Sequence, residues 1–247
     1  DHDVRSRFLA AAQKRFDVRL SERVLAVRRT PSGINVLLEH SEDIEADAIL
    51  VATGRTPNSD DLDLAAVGFD VDSDGYVRVD EHQETSARNV YALGDICSRF
   101  QLKHVANHEA RVVAHNLAHP HQRIRSDHSF VPHAVFGSPQ IAAVGLTEEQ
   151  ARAQGHDVMT ALHQYGWTAY GWAMEDDTSF CKLVADRHTR RLLGAHLMGP
   201  YASMLVQQVI QGMAFGQTID ELARGQYYIH PALSEVVENA LLAFPPA

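Results

Sequence analysis

The stretch TSARNVYALGD, residues 85–95, decides the fold of this 247-residue chain. Its apolar run Val90-Tyr91-Ala92-Leu93 is typical of a β-strand, and that strand ends at Gly94-Asp95. Gly94 lets a ligand approach the backbone closely, because glycine has no Cβ. The carboxylate of Asp95 repels phosphates but accepts hydrogen bonds from hydroxyl groups, so it is predicted to hold the sugar-alcohol chain of any dinucleotide bound here. The alternative is an Asx turn that simply ends the strand.

A helix is predicted directly after this motif, over LKHVANHEARVVAHNL, residues 102–117. Its apolar stripe recurs every three or four residues and is expected at Ala106, Ala110, Val113 and Leu117. The positive end of the helix dipole would face the group that Asp95 holds and would favour an electron-rich ring edge there. Lys103 and His104 lie at that same end of the helix and add to its positive potential.

Upstream of the motif, the sequence predicts a helix and then short strands. The first sixteen residues have helical spacing of their apolar side chains, and strands are expected over 23–28 and 34–39. The run Ala48-Ile49-Leu50-Val51-Ala52 predicts a strand that is buried on both faces of an α/β sheet. Thr53-Gly54-Arg55 follows at once and places a tight loop at the carboxyl edge of the sheet, where α/β ligands bind. A plain strand-ending turn is the alternative.

The amino-acid composition limits which partners the chain can bind and argues against disulfide bonds and metal sites as structural cross-links. Lys and Arg number 22 against 32 Asp and Glu, a net charge of −10, which argues against nucleic acid or an anionic membrane as the main partner. No run of 18 apolar residues is present. The two cysteines, Cys97 and Cys181, form no CxxC and are expected to be unpaired, buried thiols. The histidine-rich segment 119–128 is expected to be a linker without a metal site, because its spacing suits no metal.

The carboxyl-terminal stretch from residue 128 is predicted to be an α+β unit. Strands are expected over 141–144, 180–186 and 192–198, and an amphipathic helix is expected over 203–215. A capping box at Thr147-Glu148-Glu149-Gln150 predicts another helix start. An aromatic cluster, which is interpreted as a packing or interface patch, consists of Trp167, Tyr170 and Trp172.

The strongest catalytic candidate is the sequence His230-Pro231-Ala232-Leu233-Ser234-Glu235. Pro231 keeps His230 out of helical geometry, so a helix is expected to begin after it. Glu235, in the first turn, can then reach back to the imidazole of His230. A carboxylate on one ring nitrogen fixes the tautomer and raises the basicity of the other nitrogen, which suits proton transfer to and from a thiol. The alternative is a structural histidine at a helix start.

Over essentially its whole length, the chain resembles the class I FAD-dependent pyridine nucleotide-disulfide oxidoreductases. The resemblance rests on five segments in the family's order: ATGRTPN, T-x₄-VYALGD, LKHVA, VFGSPQIAAVGLTEEQA and HPALSEVVENALL. The resemblance implies that Gly94 and Asp95 bind the ribityl chain of FAD. It also implies that the isoalloxazine ring of FAD lies against Leu102, Lys103 and His104. A further implication is that the boundary of the nicotinamide-nucleotide domain lies near Ala52, Thr53, Gly54 and Arg55.

In that family His230 would be the acid/base and Glu235 its orienting partner, and the pair would act on the redox disulfide of the other subunit in a homodimer. No GxGxxG nucleotide loop and no CxxxxC redox motif occurs in these 247 residues. The chain is therefore expected to be the carboxyl-terminal half of such an enzyme. The expected fold is α/β plus α+β, divided into part of the NAD(P)-binding domain over 1–57, a second FAD-binding segment over 58–127 and an interface domain over 128–247.

Two segments, QLKHVANHEARVVAHNL and HPALSEVVENALL, most resemble the branch of the family that reduces mycothiol disulfide. That likeness implies a cytoplasmic reaction that uses NADPH and FAD, on a small-molecule disulfide. Dihydrolipoyl dehydrogenase and a glutathione reductase-like enzyme are the alternatives within the family. A different class of function is also open: this fragment, without its nucleotide loops, is expected to be inactive alone and could act only as a dimerisation module.

Overall fold

The computed structural model describes residues 1–64, 66 and 68–246. Its helices are α1 (His2–Gln13), α2 (Lys103–Ala118), α3 (Glu148–Ala153), α4 (Ala169–Ala173), α5 (Ala202–Ala214), α6 (Ile219–Arg224) and α7 (Ser234–Leu242). Its strands are β1 (Val24–Thr30), β2 (Gly33–Leu38), β3 (Ile44–Ala46), β4 (His133–Val135), β5 (Ile141–Gly145), β6 (Val158–Gln164), β7 (Phe180–Asp186) and β8 (Leu192–Met198). Over the described residues, no helix has the length and apolar character needed to cross a bilayer.

The carboxyl-terminal unit is built on a five-stranded antiparallel sheet in the order β4-β5-β8-β7-β6. The observed bounds of β7 and β8 agree with the predicted strands over 180–186 and 192–198. The predicted capping box is confirmed at α3, where Thr147 accepts from the amide of Gln150 and the Gln150 side chain accepts from the amide of Thr147. Strand β6, at the edge of the sheet, was not expected from the sequence.

Both faces of this sheet are covered, and this explains why all seven residues of β7 are buried. On one face Cys181 and Leu183 join a core that includes residues of α5, α6 and α7. On the other face Phe180 packs with Met198 and with Val4 of α1. The sheet therefore holds the first helix of the chain as well as the last three.

Lys182 lies on the α1 side of β7 and is almost fully buried. Its ammonium group forms ion pairs with Asp1, 3.0 Å away, with Asp3 and with Glu148, also 3.0 Å away. The hydrogen bond from Lys182 is the main reason that the pKa of Asp3 and the pKa of Glu148 lie below their ordinary values. One buried cation thus fastens the starts of α1 and α3 to the middle of the sheet.

A second, smaller sheet has the antiparallel order β1-β2-β3 and precedes the first motif. The strands predicted over 23–28 and 34–39 are confirmed as β1 and β2, with shifted ends. The buried strand predicted over 48–52 is wrong in this structure: the segment has no strand assignment, and Leu50 and Val51 are 90% and 71% exposed. A strand needs a hydrogen-bonded neighbour, and within the described residues none lies alongside this run.

The middle of the chain is largely irregular. Isolated bridges join Val71 to Val77 and Val79 to Thr85, and another joins Glu84 to Tyr91. The predicted strand over 90–93 is therefore reduced to a single bridge, and Gly94–Ile96 forms one 3₁₀ turn. These bridges fold residues 71–91 into a compact loop region that leads to Gly94.

Helix α2 matches the predicted bounds but not the predicted face. The expected stripe is wrong at Ala110 and Leu117, which are exposed. The buried positions of α2 are Val105, Glu109, Val112, Val113 and Asn116. Two polar residues take part in this face because their side chains form hydrogen bonds inside the protein, which a pattern of hydrophobicity does not detect.

Candidate functional site

His230 and Glu235 form the predicted pair. His230 precedes Pro231 in an irregular turn, and α7 begins at Ser234. The Nδ1 atom of His230 lies 2.8 Å from Oε1 of Glu235, and the other carboxylate oxygen accepts the amide of Ala232 at 3.1 Å. Both oxygens of Glu235 are thus held in place, and the imidazole side chain of His230 is 68% exposed.

The electrostatics of the pair keep Glu235 ionised. Burial by itself would raise the pKa of Glu235, but the hydrogen bonds from His230 and from the Ala232 amide lower it below its ordinary value. An ionised carboxylate accepts a hydrogen bond from the Nδ1–H group, which keeps the proton of the neutral ring on Nδ1, and the Nε2 atom is then the ring's basic nitrogen. Because the ring is exposed, that nitrogen can exchange protons with a group brought in from outside this chain.

Glu238 lies one helical turn after Glu235, and no sequence motif pointed to it. Burial, followed by the charge of Glu235, raises the pKa of Glu238 above its ordinary value. A glutamate three residues after another on a helix has no distinctive sequence signature, so only the fold reveals that the two charges affect each other.

A second group of predicted residues meets around Asp95. The guanidinium of Arg55 lies 2.8 Å from the carboxylate of Asp95 and donates a hydrogen bond of 3.2 Å to the carbonyl oxygen of Gln101. Segments 52–55 and 94–95 therefore lie together beside the start of α2, although some forty residues separate them in sequence. The meeting of Arg55 and Asp95 could not be read from either motif alone.

Gly94 has a φ of +75°, a conformation that L side chains rarely adopt, and it is buried against Ala106 of α2. A Cβ at Gly94 would approach that of Ala106 to 3.2 Å. The structure thus shows a close approach of α2 to Gly94, whereas the predicted close approach of a ligand to its backbone stays a prediction.

The Asp95 region fits the ribityl chain of a flavin. The carboxylate of Asp95 is partly exposed and can accept hydrogen bonds from hydroxyl groups. The residue that precedes α2, Leu102, provides no side-chain cap, so the first amides of that helix remain available to an acceptor. The side chains of Lys103 and His104 are engaged elsewhere, with Asn107 and with the carbonyl oxygen of Pro132.

Neither cysteine is suited to nucleophilic chemistry. Both are free thiols, as predicted, although Cys97 is only half-buried. Burial raises the pKa of Cys97 to about 12, and burial also raises the pKa of Cys181. Since the thiolate is the reactive form, both side chains are unreactive near neutral pH. Over the described residues, no cluster of metal-ligating side chains is found, and this includes the histidine-rich segment 119–128.

Two models of one protein family match this chain. The pyridine nucleotide-disulphide oxidoreductase family matches residues 1–110, and the dimerisation domain of that family matches residues 131–241. The chain belongs to the pyridine nucleotide-disulphide oxidoreductase family. Both the resemblance stated from the motifs and the mixed α/β and α+β fold are thereby confirmed.

Two curated relatives are enzymes of this family. The chain is 53% identical over 246 residues to mycothione reductase of Mycobacterium tuberculosis H37Rv, covering 98% of this chain and 53% of the relative. It is 35% identical over 213 residues to dihydrolipoyl dehydrogenase of Mycobacterium leprae, covering 84% of this chain and 45% of the relative. The chain thus spans about half the length of the curated relatives it matches.

Solved structures show the same architecture. The HOCl-induced flavoprotein disulfide reductase RclA from Escherichia coli matches with a TM-score of 0.91 and 26% identity, over 99% of this chain and 56% of that one. LpdA from Mycobacterium tuberculosis matches with a TM-score of 0.88 and 26% identity, over 98% of this chain and 52% of that one.

Proposed function

We propose that this chain is the carboxyl-terminal part of a flavoprotein that reduces mycothiol disulfide with NADPH. The observation that carries the proposal is the hydrogen bond between His230 and Glu235, at the position where the sequence predicts an acid/base pair. The 53% identity to mycothione reductase favours mycothiol disulfide over other small disulfides.

In this proposal His230 moves the proton of the reaction. Reduction of a disulfide by a dithiol breaks the substrate S–S bond, and one sulfur leaves as a thiolate. The neutral ring of His230 accepts the proton of the attacking thiol, and the imidazolium that results protonates the departing thiolate. The second thiol of the dithiol then attacks the mixed disulfide by the same proton transfers, which releases the other substrate sulfur and leaves the dithiol as a disulfide. Glu235 holds the ring in one orientation through both steps and fixes the tautomer of its neutral form. The reacting dithiol is supplied by a redox motif that these 247 residues do not contain.

The proposed cofactor site uses the residues around Asp95. Asp95 would accept hydrogen bonds from the ribityl hydroxyls of FAD. Gly94, which has no side chain, would let the ribityl chain approach the protein backbone. The start of α2 at Leu102, Lys103 and His104 would lie against the ring, with segment 52–55 beside it. When bound, FAD would supply the transfer of two electrons from the reduced nicotinamide to the oxidised, disulfide form of the redox motif, which becomes the dithiol.

A homodimer is the proposed assembly, formed through residues 128–247. Over the described residues, no hydrogen bond or ion pair joins His230 to the Asp95 region. Large apolar side chains stand exposed on the carboxyl-terminal unit, and these include Trp172, Met204, Phe215, Tyr227 and Ile229. Tyr227 and Ile229 lie within three residues of His230, which suits a catalytic turn presented to another subunit. The same proposal divides the chain into domains that end at residues 57 and 127. It also places the enzyme in the cytoplasm.

The test is His230→Ala in the full-length flavoprotein that contains this segment. Loss of a general acid/base should lower turnover of mycothiol disulfide by about 10²–10⁴-fold. Flavin content should remain at the wild-type level, because among the described residues neither a hydrogen bond nor an ion pair connects His230 with the Asp95 region. Glu235→Gln keeps the shape of the side chain and serves as the matched variant, with a smaller loss. Unchanged turnover in His230→Ala would contradict the assigned role.

Substrate choice is tested with the same wild-type protein. Faster turnover of mycothiol disulfide with NADPH than of dihydrolipoamide with NAD⁺ supports the proposal, and the reverse makes the protein a dihydrolipoyl dehydrogenase. The 247-residue chain on its own is expected to be a dimer by light scattering, to be colourless or to bind FAD weakly, and to have no turnover. The mass of the purified chain is verified first. Disulfide reduction by that chain would contradict the proposal that turnover needs the redox motif and nucleotide loops that these 247 residues do not contain.

A further inference from the structure

Glu109 is the single acidic residue of α2, and 1% of its surface is exposed. Its Oε2 atom accepts the backbone amide of Gly94 at 2.7 Å, and its Oε1 atom lies 3.0 Å from Nε2 of His128. Burial of a carboxylate is costly unless it is paired and hydrogen-bonded, so both contacts are needed to keep it there. The proposed reaction does not use this side chain.

The first contact fixes the residue just before Asp95. Gly94 has a positive φ and no side chain, so neither a rotamer nor a preferred backbone region holds its amide in place. Hydrogen bonds from a backbone amide to an ionised carboxylate are shorter and about twice as strong as those between neutral groups. Glu109 therefore anchors the turn at the point from which the Asp95 carboxylate extends.

The second contact links the same carboxylate to the start of the carboxyl-terminal unit. The ring of His128 is itself held, with its centroid 5.5 Å from that of Phe100. In the sequence, Phe100 lies between the Gly94 turn and the start of α2. The Glu109 side chain thus joins three segments that are distant in sequence: the Gly94 turn, helix α2 and residue 128.

We propose that Glu109, supported by His128, is the positioning residue of the flavin-binding loop, and that it sets the place of Asp95 through the amide of Gly94. The inference rests on the proposed function, because it requires that Asp95 hold the ribityl chain. It goes beyond that function in assigning FAD affinity to a side chain that does not touch the flavin.

The experiment measures FAD binding in the full-length flavoprotein, with Glu109→Ala, Glu109→Gln and a matched control. Asn116 provides the control, because it is equally buried on the same face of α2 but bonds to Ile124 and to the carbonyl oxygen of His82 instead of Gly94. Apoprotein of each variant is titrated with FAD, and the visible absorption band of the bound flavin is recorded. Thermal unfolding of each apoprotein is measured in parallel.

Glu109→Ala is expected to weaken FAD binding about 10-fold to 100-fold and to shift the visible band towards that of free flavin. Glu109→Gln should restore most of the affinity, because its amide oxygen can still accept from Gly94. Asn116→Ala should lower thermal stability without changing the FAD dissociation constant.

Two results would overturn the inference and leave the proposed function intact. One is wild-type FAD affinity in Glu109→Ala; the other is an equal loss in Asn116→Ala, which would indicate a general effect of loosening α2. If Glu109→Ala does not fold, Glu109→Met takes its place, because it keeps the length of the side chain but cannot accept from Gly94; wild-type FAD affinity in Glu109→Met then overturns the inference. A wild-type protein that binds no FAD would overturn the inference and the proposed function together.

Discussion

The two sheets of this molecule differ in how completely they are covered. In the five-stranded sheet every residue of β7 is buried, because α5 to α7 pack on one face and α1 on the other. Within β1, β2 and β3, by contrast, Val36 is the one buried residue. The comparison shows that regular hydrogen bonding alone does not create a core: a sheet gains most of its stability from what packs on its faces.

The largest effect should come from removing a side chain at the centre of the covered sheet. Leu183→Ala is expected to cost about 3–5 kcal/mol of unfolding free energy, because Leu183 is fully buried and the cavity cannot collapse. Leu25→Ala, on the exposed face of β1, is the control and should change stability by less than about 0.5 kcal/mol.

Unfolding in urea is followed by far-UV circular dichroism, which reports on both sheets, together with tryptophan fluorescence. Both tryptophans, Trp167 and Trp172, belong to the carboxyl-terminal unit, so the fluorescence follows the unfolding of the five-stranded sheet. Equal losses in Leu183→Ala and Leu25→Ala would contradict the claimed difference between the two sheets.

A smaller loss is expected at the polar contact that fastens α1 to the covered sheet. Lys182→Met should cost about 3 kcal/mol, since it leaves the carboxylates of Asp1, Asp3 and Glu148 without their shared cation. This value is at the low end for a buried pair because Asp3 and Glu148 are partly exposed. Arg152→Met, which removes an exposed partner of Glu148, is the control and should have a much weaker effect.

The same variant should alter the dependence of stability on pH. The pKa of Asp3 and the pKa of Glu148 are lowered in the folded protein, so their contribution to stability is present above the pKa of the unfolded state and is lost as the pH falls. Wild-type stability should therefore decline below about pH 5, and Lys182→Met should show a shallower decline. Parallel pH profiles for the two proteins would show that Lys182 does not hold these carboxylates.

The smallest of the three effects concerns a helix start beside the covered sheet. Thr147→Ala removes one half of the capping box of α3 and should cost about 1 kcal/mol. Thr30→Ala is the matched control, because Thr30 ends β1 and its side-chain hydroxyl is exposed and bonds to the hydroxyl of Ser32. A thermal scan of both variants should show a lower melting temperature for Thr147→Ala alone.

The sequence was most informative where an element finds its partners within the same chain. Strands β7 and β8 were predicted at their observed bounds, because they are apolar runs separated by a polar turn and they pair with each other. The pair His230 and Glu235 was also predicted, since a proline and a helix start fix their spacing within six residues. Local pattern and local geometry agree at both places.

The sequence was misleading where the outcome depends on contacts outside the local pattern. The run 48–52 has the composition of a buried strand, but strand formation needs a neighbour that no local pattern provides. The face of α2 was misassigned because Glu109 and Asn116 are buried through hydrogen bonds to distant segments. A hydrophobicity pattern treats both as surface residues, although their partners Gly94 and His82, which lie 15 and 34 residues away in sequence, help to decide their position.

The exposed run Ala48-Ile49-Leu50-Val51-Ala52 has a consequence for the behaviour of the protein in concentrated solution. It contains no charge and no proline, and its backbone is not part of a sheet, so copies of it can pair with one another as strands. Aggregation should therefore begin at this segment rather than at the five-stranded sheet. A single charge at its most exposed position, Leu50→Lys, should act as a gatekeeper and extend the time before the solution becomes turbid.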